Sequence, residues 1–138
     1  MTDQQTVEKK IAQFLTADAF GVAGASTNRA KYGNKVLRCY QQHNRRVIPI
    51  NPRAEVIENL PCVASVADLP AEVTSLSIIT PPMITEQVVE QAIACGIKNI
   101  WMQPGAESPN AIARCEEAGI NLIADGSCLL VVLGYHEA

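Results

Sequence analysis

The chain reads as an α/β domain, a doubly wound sheet of about five parallel strands with helices on both faces. Three observations predict it. Short, nearly continuous apolar runs recur along the sequence, segments with apolar residues at helical spacing separate them, and glycine, proline or asparagine punctuates each junction. Strands that alternate with helices are joined by crossovers, which place neighbouring strands parallel and bury them on both faces. No repeat, low-complexity stretch or shift in composition divides the 138 residues, so residues 1–138 are read as a single domain.

The elements follow in order. Val7, Ile11, Phe14 and Leu15 have helical spacing. The first strand is Ala19 to Gly24, followed by a helix from about Gly33 to Gln42 that presents Val36, Leu37 and Tyr40. The second strand, Arg46 to Ile50, is stopped by Asn51-Pro52. Ala54 to Pro61 reads as a connector with room for one helical turn, and Val66 to Pro70 as another short turn. The third strand, Ser75 to Ile79, ends at Thr80-Pro81-Pro82, where the prolines cannot donate to a ladder. Thr85 is placed to cap a helix with its body at Glu86 to Cys95, and Gly96 sits at its C′ position. The fourth strand is Asn99 to Gln103. Ser108-Pro109 supplies a cap and an N1 proline for a helix that Gly119 stops. The fifth strand, Ile120 to Ala124, turns through Asp125-Gly126-Ser127-Cys128 into an apolar segment, Leu129 to Leu133.

Composition narrows the function. A net charge of −3 argues against non-specific binding to nucleic acid or to an anionic membrane. No apolar run reaches membrane-spanning length, and Met1 to Lys10 lacks the apolar core of a signal peptide, so a cytoplasmic location is expected. The five cysteines, Cys39, Cys62, Cys95, Cys115 and Cys128, are odd in number and lack C-x-x-C spacing, which speaks against a disulfide framework and a structural zinc site. Cys39, Cys95 and Cys115 lie in helix-like segments and are expected to be buried, inert thiols.

In such a sheet, ligands bind at the carboxyl ends of the strands, near the switch in strand order. Five segments lie there: Gly24 to Asn34, Asn51 to Arg53, Thr80 to Pro82, Gln103 to Ala106 and Asp125 to Cys128. The first is a strand, a glycine turn and a helix N-terminus, a place where backbone N–H groups meet a phosphate. Ser26, Asn28, Arg29 and Lys31 add polar and positive groups, although the turn does not spell the three-glycine dinucleotide fingerprint. After the second strand, where an NAD site carries an acid for the ribose, this chain has Asn51-Pro52-Arg53, and an arginine suits the extra ribose phosphate of NADP or coenzyme A. A surface arginine with no ligand is the plainer alternative. No catalytic set emerges: His43 stands at a helix end, His136 lies near the C-terminus where disorder is common, and Asp125 is alone at its strand end. Cys128 is the one cysteine on the ligand-binding rim.

With these residues in view, the chain resembles the stand-alone coenzyme A-binding domains, small proteins similar to the N-terminal domain of the succinyl-CoA synthetase alpha subunit. The resemblance runs from about Ala12 to Cys128. It is carried by Val22-Ala-Gly-Ala-Ser26, Tyr32-Gly33 with Val36, Val47-Ile-Pro-Ile-Asn-Pro-Arg53, Ser65-Val-Ala-Asp-Leu-Pro70, Ile79-Thr-Pro-Pro82, Ile100-Trp-Met-Gln-Pro-Gly105 and Asp125-Gly-Ser-Cys128. It implies a Rossmann-like domain that holds coenzyme A or an acyl-CoA. The implied ligand-binding set is Gly24, Ala25, Ser26, Asn28, Lys31, Tyr32, Gly33, Asn34, Asn51, Pro52, Arg53, Thr80, Pro81, Pro82 and Gln103. Arg53 stands where lysine is more usual in the family, and an Asp-Arg-Cys-like segment is replaced by Asp125-Gly-Ser-Cys128. The synthetases carry a phosphorylated histidine on a further domain outside the stretch of resemblance, so ligase chemistry is not expected from these residues. The expectation is a coenzyme A or acyl-CoA binding module with no catalytic residues and no metal; a homodimer and a protein partner are both left open. The alternatives are an NADP-linked oxidoreductase, a protein exchanging thiols and disulfides with coenzyme A through Cys128, and a partner-binding scaffold with a vestigial pocket.

Overall fold

The computed structural model describes residues 3–137, with side chains from residue 7 onward. Helix α1 (Asp3–Phe14) leads into β1 (Ala19–Ala23), and α2 (Tyr32–Gln42) returns to β2 (Val47–Ile50). A small hairpin follows, β3 (Val56–Ile57) and β4 (Leu60–Pro61), then a 3-10 turn at Val66–Asp68. The chain continues through β5 (Val73–Ile78), α3 (Pro82–Ala94), β6 (Asn99–Met102), α4 (Pro109–Glu117), β7 (Asn121–Ile123) and α5 (Leu129–Leu133). The main sheet has five strands in the order β2-β1-β5-β6-β7, and every pairing in it is parallel. The strand order reverses direction between β1 and β5, the switch point of a Rossmann-like α/β sheet.

Alternation along the strands divides the core into two layers. Phe20 and Val22 of β1 and Trp101 of β6 point to one face, where Phe14 of α1, Val36, Leu37 and Tyr40 of α2, and Leu129 of α5 cover them. Ala19 and Ala23 of β1, Leu76 and Ile78 of β5, and Ile100 and Met102 of β6 face the other way, onto Val89 and Ala92 of α3 and Cys115 of α4. Two serines of the central strand sit in the core because each has a partner. Ser75 Oγ donates to the Phe14 carbonyl at 2.8 Å, and Ser77 Oγ lies 2.6 Å from the Tyr40 hydroxyl. Phe14 meets the Trp101 ring edge-on at 5.4 Å, and Trp101 Nε1 donates to the Ser127 carbonyl at 2.9 Å, fixing the turn before α5.

Four expectations are corrected. The stretch from Ala54 to Pro61 is a β-hairpin rather than a connector with a helical turn; its register is Val56 with Pro61 and Ile57 with Leu60. Thr85 does not cap α3. The helix already begins at Pro82, and the buried Thr85 bonds back to Thr80, its Oγ1 lying 2.8 Å from Thr80 Oγ1 and 3.1 Å from the Thr80 carbonyl. Cys95 is exposed, because it is the C-cap of α3, whereas Cys39 and Cys115 are buried. His136 is held by its backbone: its N–H donates to Gln42 Oε1 at 3.0 Å and its carbonyl accepts from Gln42 Nε2 at 2.6 Å. The caps at Ser108 and Gly119 stand as read, with Ser108 Oγ accepting from the Ala111 N–H and Gly119 at φ 72°.

Candidate functional site

The carboxyl ends of β1 and β5 diverge because their crossovers leave on opposite faces, and a cleft opens between them. The loop from Gly24 to Lys31 forms one wall. Gly24, at φ 96°, turns the chain off β1; a β-carbon there would stand 3.2 Å from the Ile79 carbonyl carbon. Gly33, in the first turn of α2, packs directly on this turn, and a β-carbon at Gly33 would lie 2.0 Å from the Gly24 carbonyl oxygen. These two glycines bring the N-terminus of α2 against the end of β1. Lys31 is the N-cap of α2 and makes no side-chain cap bond, so its own side chain leaves the helix N-terminus open.

The loop is fixed by its own short polar side chains and by donors from outside. Ser26 Oγ accepts from the Asn28 N–H at 3.1 Å, and Asn28 Oδ1 accepts from the Ala30 N–H at 3.0 Å. The loop carbonyls are taken up from behind: Asn51 Nδ2 donates to Ala25 at 3.0 Å, Asn34 Nδ2 to Ser26 at 2.8 Å, and an Arg38 guanidinium nitrogen to Arg29 at 2.7 Å. Asn34 and Asn51, both in the expected binding set, therefore have structural partners. Asn34 is buried, and Asn51 Oδ1 also accepts from the N–H groups of Arg53 and Ala54 at 2.7 and 2.9 Å.

Two cavities meet at Gly24 and Thr80. One, of about 350 Å³, is bordered by Ser26, Lys31, Tyr32, Gly33 and Pro81. The other, of about 320 Å³, lies between the ends of β1 and β2 and helix α3, against Ala25, Asn51, Pro52, Ser65, Gln87 and Gln91. Gly24, Ala25, Ser26, Lys31, Tyr32, Gly33, Asn51, Pro52, Thr80 and Pro81 thus share one cleft. Asn28 and Arg53 are exposed beside it on its loops, and Pro82 opens α3. Sequence reasoning missed Gln87 and Gln91, whose signal was only their spacing on one face of α3 next to the proline turn.

Gln103 stands apart from both cavities and is fully buried. Its Oε1 accepts from the Tyr32 hydroxyl at 3.0 Å and from the Leu129 N–H at 2.9 Å. The Tyr32 hydroxyl also meets Cys128 Sγ, so Gln103, Tyr32 and Cys128 tie the loops after β1, β6 and β7 together. Burial, with the Cys128 contact, holds the Tyr32 phenol well above its usual range, so it remains a neutral donor. Burial likewise pushes the Cys39 thiol up to about 11. Among the described residues, no group of three His, Cys, Asp or Glu side chains is gathered to hold a metal, and no helix is long and apolar enough to cross a membrane.

The chain is similar to proteins already known. Over 79 residues the chain is 33% identical to an ADP-forming acetate-CoA ligase II of Archaeoglobus fulgidus, a match over 56% of this chain and 12% of the relative. An ADP-forming acetate-CoA ligase of Methanocaldococcus jannaschii is 28% identical over 79 residues, 57% of this chain and 11% of the relative. The chain therefore spans about a tenth of the length of these two relatives. Among solved structures, a conserved hypothetical protein from Pyrococcus furiosus superposes with a TM-score of 0.79 at 38% identity, over 83% of this chain and 97% of that one. A hypothetical protein from Pyrococcus horikoshii gives 0.84 at 27% identity, over 91% and 87%. The family model described as a CoA binding domain matches residues 18–134, from the start of β1 to the end of α5, and the chain belongs to that family.

Proposed function

We propose that this chain binds coenzyme A or an acyl-CoA in the cleft at the ends of β1 and β5, and acts as a ligand-binding module without ligase chemistry of its own. The observation that carries the reading is the uncapped N-terminus of α2, brought against the Gly24 turn by Gly33 and opening on a cleft at the sheet's switch point. The diphosphate is assigned to the first N–H groups of α2 and to those of the Gly24 turn that take no bond within the loop, with Lys31 adding charge. Arg53, exposed beyond Asn51-Pro52, is assigned to the ribose phosphate. The two adjoining cavities suit a ligand with a nucleotide end and a long arm.

A thermal-shift and calorimetric titration with coenzyme A, acetyl-CoA, 3′-dephospho-coenzyme A, NAD and NADPH tests this. A ligand that binds only the folded state raises the melting temperature. Coenzyme A is expected to stabilise the protein, and both removal of the 3′-phosphate and Arg53→Glu are expected to weaken binding about tenfold, ~1.4 kcal/mol. A preference for NADPH would replace the reading with an oxidoreductase, and no shift with any of the five would remove it.

A second reading has its own observation: Tyr32, which borders the cleft, touches Cys128. In it, the Cys128 thiolate attacks coenzyme A disulfide, forming a mixed disulfide and releasing one coenzyme A thiolate. Mass spectrometry finding the adduct only on other cysteines rejects it.

A further inference from the structure

The turn of the β3–β4 hairpin contains a residue that local backbone chemistry does not favour. Its two central residues, Glu58 and Asn59, have φ of 49° and 65°. A two-residue hairpin turn with both φ values positive is the type that asparagine and glycine fill readily. Glutamate has a full side chain and no short-range bond to offset the left-handed conformation. A residue held in such a conformation points to a role for its side chain.

The contacts give that role. Glu58 Oε1 accepts from an Arg29 guanidinium nitrogen at 2.6 Å, and Glu58 Oε2 accepts from Asn34 Nδ2 at 3.2 Å. The same Asn34 nitrogen donates to the Ser26 carbonyl at 2.8 Å. The Glu58 carbonyl accepts from Gln41 Nε2 at 3.0 Å, which anchors the turn to α2. The Glu58 side chain is 18% exposed, so this ion pair is partly shielded from water. One carboxylate thus reaches the loop at both ends, through Arg29 directly and through Asn34 to Ser26.

We propose that Glu58 is a positioning residue: the hairpin exists to carry its carboxylate behind the Gly24 to Lys31 loop, and this contact sets the loop in its anion-receiving shape. The ligand assignment rests on the coenzyme A reading above, whereas the hold on the loop does not. The proposal also explains the choice of residue, since glycine would relax the turn and lose the brace.

Hydrogen exchange read by mass spectrometry tests it on ligand-free wild type, Glu58→Gly and Glu58→Gln, with melting temperatures and coenzyme A titrations alongside. The N–H groups of Asn28, Ala30 and Lys31 are bonded within the loop, so their protection reports its order. Glu58→Gly is expected to raise exchange across Ser26 to Lys31 at least tenfold without lowering the melting temperature, and to weaken coenzyme A binding about tenfold. Glu58→Gln, which keeps a hydrogen-bonding group and drops the charge, is expected to fall between. Unchanged loop exchange in both variants, a uniform rise in exchange with a lower melting temperature, or tighter binding by Glu58→Gly would each overturn the proposal. Wild type that ignores coenzyme A, with a loop loosened in Glu58→Gly, would sustain Glu58 and remove the ligand reading. If Glu58→Gly does not fold, Glu58→Gln carries the same readout.

Discussion

A β-carbon on Gly33 would stand 2.0 Å from the carbonyl oxygen of Gly24, a separation that no adjustment of a side-chain rotamer can relieve because both partners are backbone. The helix that follows the first strand can approach that strand's end only because position 33 has no side chain. Gly33→Ala must push α2 away from the Gly24 turn. Overpacking of this kind costs roughly 1–3 kcal/mol. The expected outcome is a lower denaturant midpoint with an unchanged m-value, and loss of coenzyme A binding beyond what the fall in stability explains. Equal binding by a folded Gly33→Ala protein would mean that the helix N-terminus is not the anion site.

Asn51 allows a finer test of the loop's support. Its amide nitrogen donates to the Ala25 carbonyl and its oxygen accepts from the N–H groups of Arg53 and Ala54. Asn51→Asp keeps the acceptor and turns the donor into a carboxylate oxygen facing a carbonyl. The β2 turn should survive while the Ala25 carbonyl loses its partner, at a cost of about 1–3 kcal/mol. Added negative charge beside the cleft should weaken coenzyme A binding further, an effect that fades with added salt. Chemical denaturation and calorimetry at two salt concentrations separate the two parts.

The sheet was legible because its signals are local. Continuous apolar runs ended by Gly24, Asn51-Pro52, Pro81-Pro82 and Pro104-Gly105 mark parallel strands whatever the rest of the chain does. The hairpin was not legible. Its strands have two residues each, below the length at which alternation shows, and its turn reads Glu58-Asn59 rather than Asn-Gly. The brace from Glu58 to Arg29 and Asn34 spans 29 and 24 residues, a relationship that no local pattern encodes. Thr85 was misread because a threonine near a helix start has the same local signature as a cap, and only the fold shows that Pro82 already opens the helix. Cys95 was misread because alanine neighbours mimic a buried face, while its place at the end of α3 leaves it in solvent.

That difference among the cysteines is measurable. Cys95 is exposed, Cys62 and Cys128 are half-buried, and Cys39 and Cys115 are fully enclosed, Cys115 in the core layer under α4. Burial pushes the Cys39 and Cys115 thiols up to about 11, which keeps them protonated and unreactive at neutral pH. Brief alkylation at pH 7 should label Cys95 first and leave Cys39 and Cys115 untouched until denaturant is added. Peptide mapping checks the order, and early labelling of Cys39 would mean that the cover over its side chain opens in the native ensemble.

The same burial gives the protein an alkaline limit. In the folded state Cys39 and Cys115 ionise near 11 rather than at the ordinary 9.0, and the fully enclosed Tyr40 phenol is held above its ordinary 10.0 by desolvation, against a smaller opposing effect of its hydrogen bond to Ser77. Each is an acid whose folded pKa is raised, so the unfolded chain releases protons first as the pH rises. Their contribution to stability is complete below the unfolded values and drains away above them, beginning near pH 9 with the thiols and steepening past pH 10 as Tyr40 and Tyr32 join. Melting temperatures from pH 8 to pH 11 should therefore fall progressively above pH 9. Tyr40→Phe removes one titrating group together with its contact to Ser77, so its curve should start lower at pH 8 and fall less steeply past pH 10. Parallel curves for the two proteins would show that Tyr40 ionises as readily folded as unfolded, and that the α2 face of the sheet admits water.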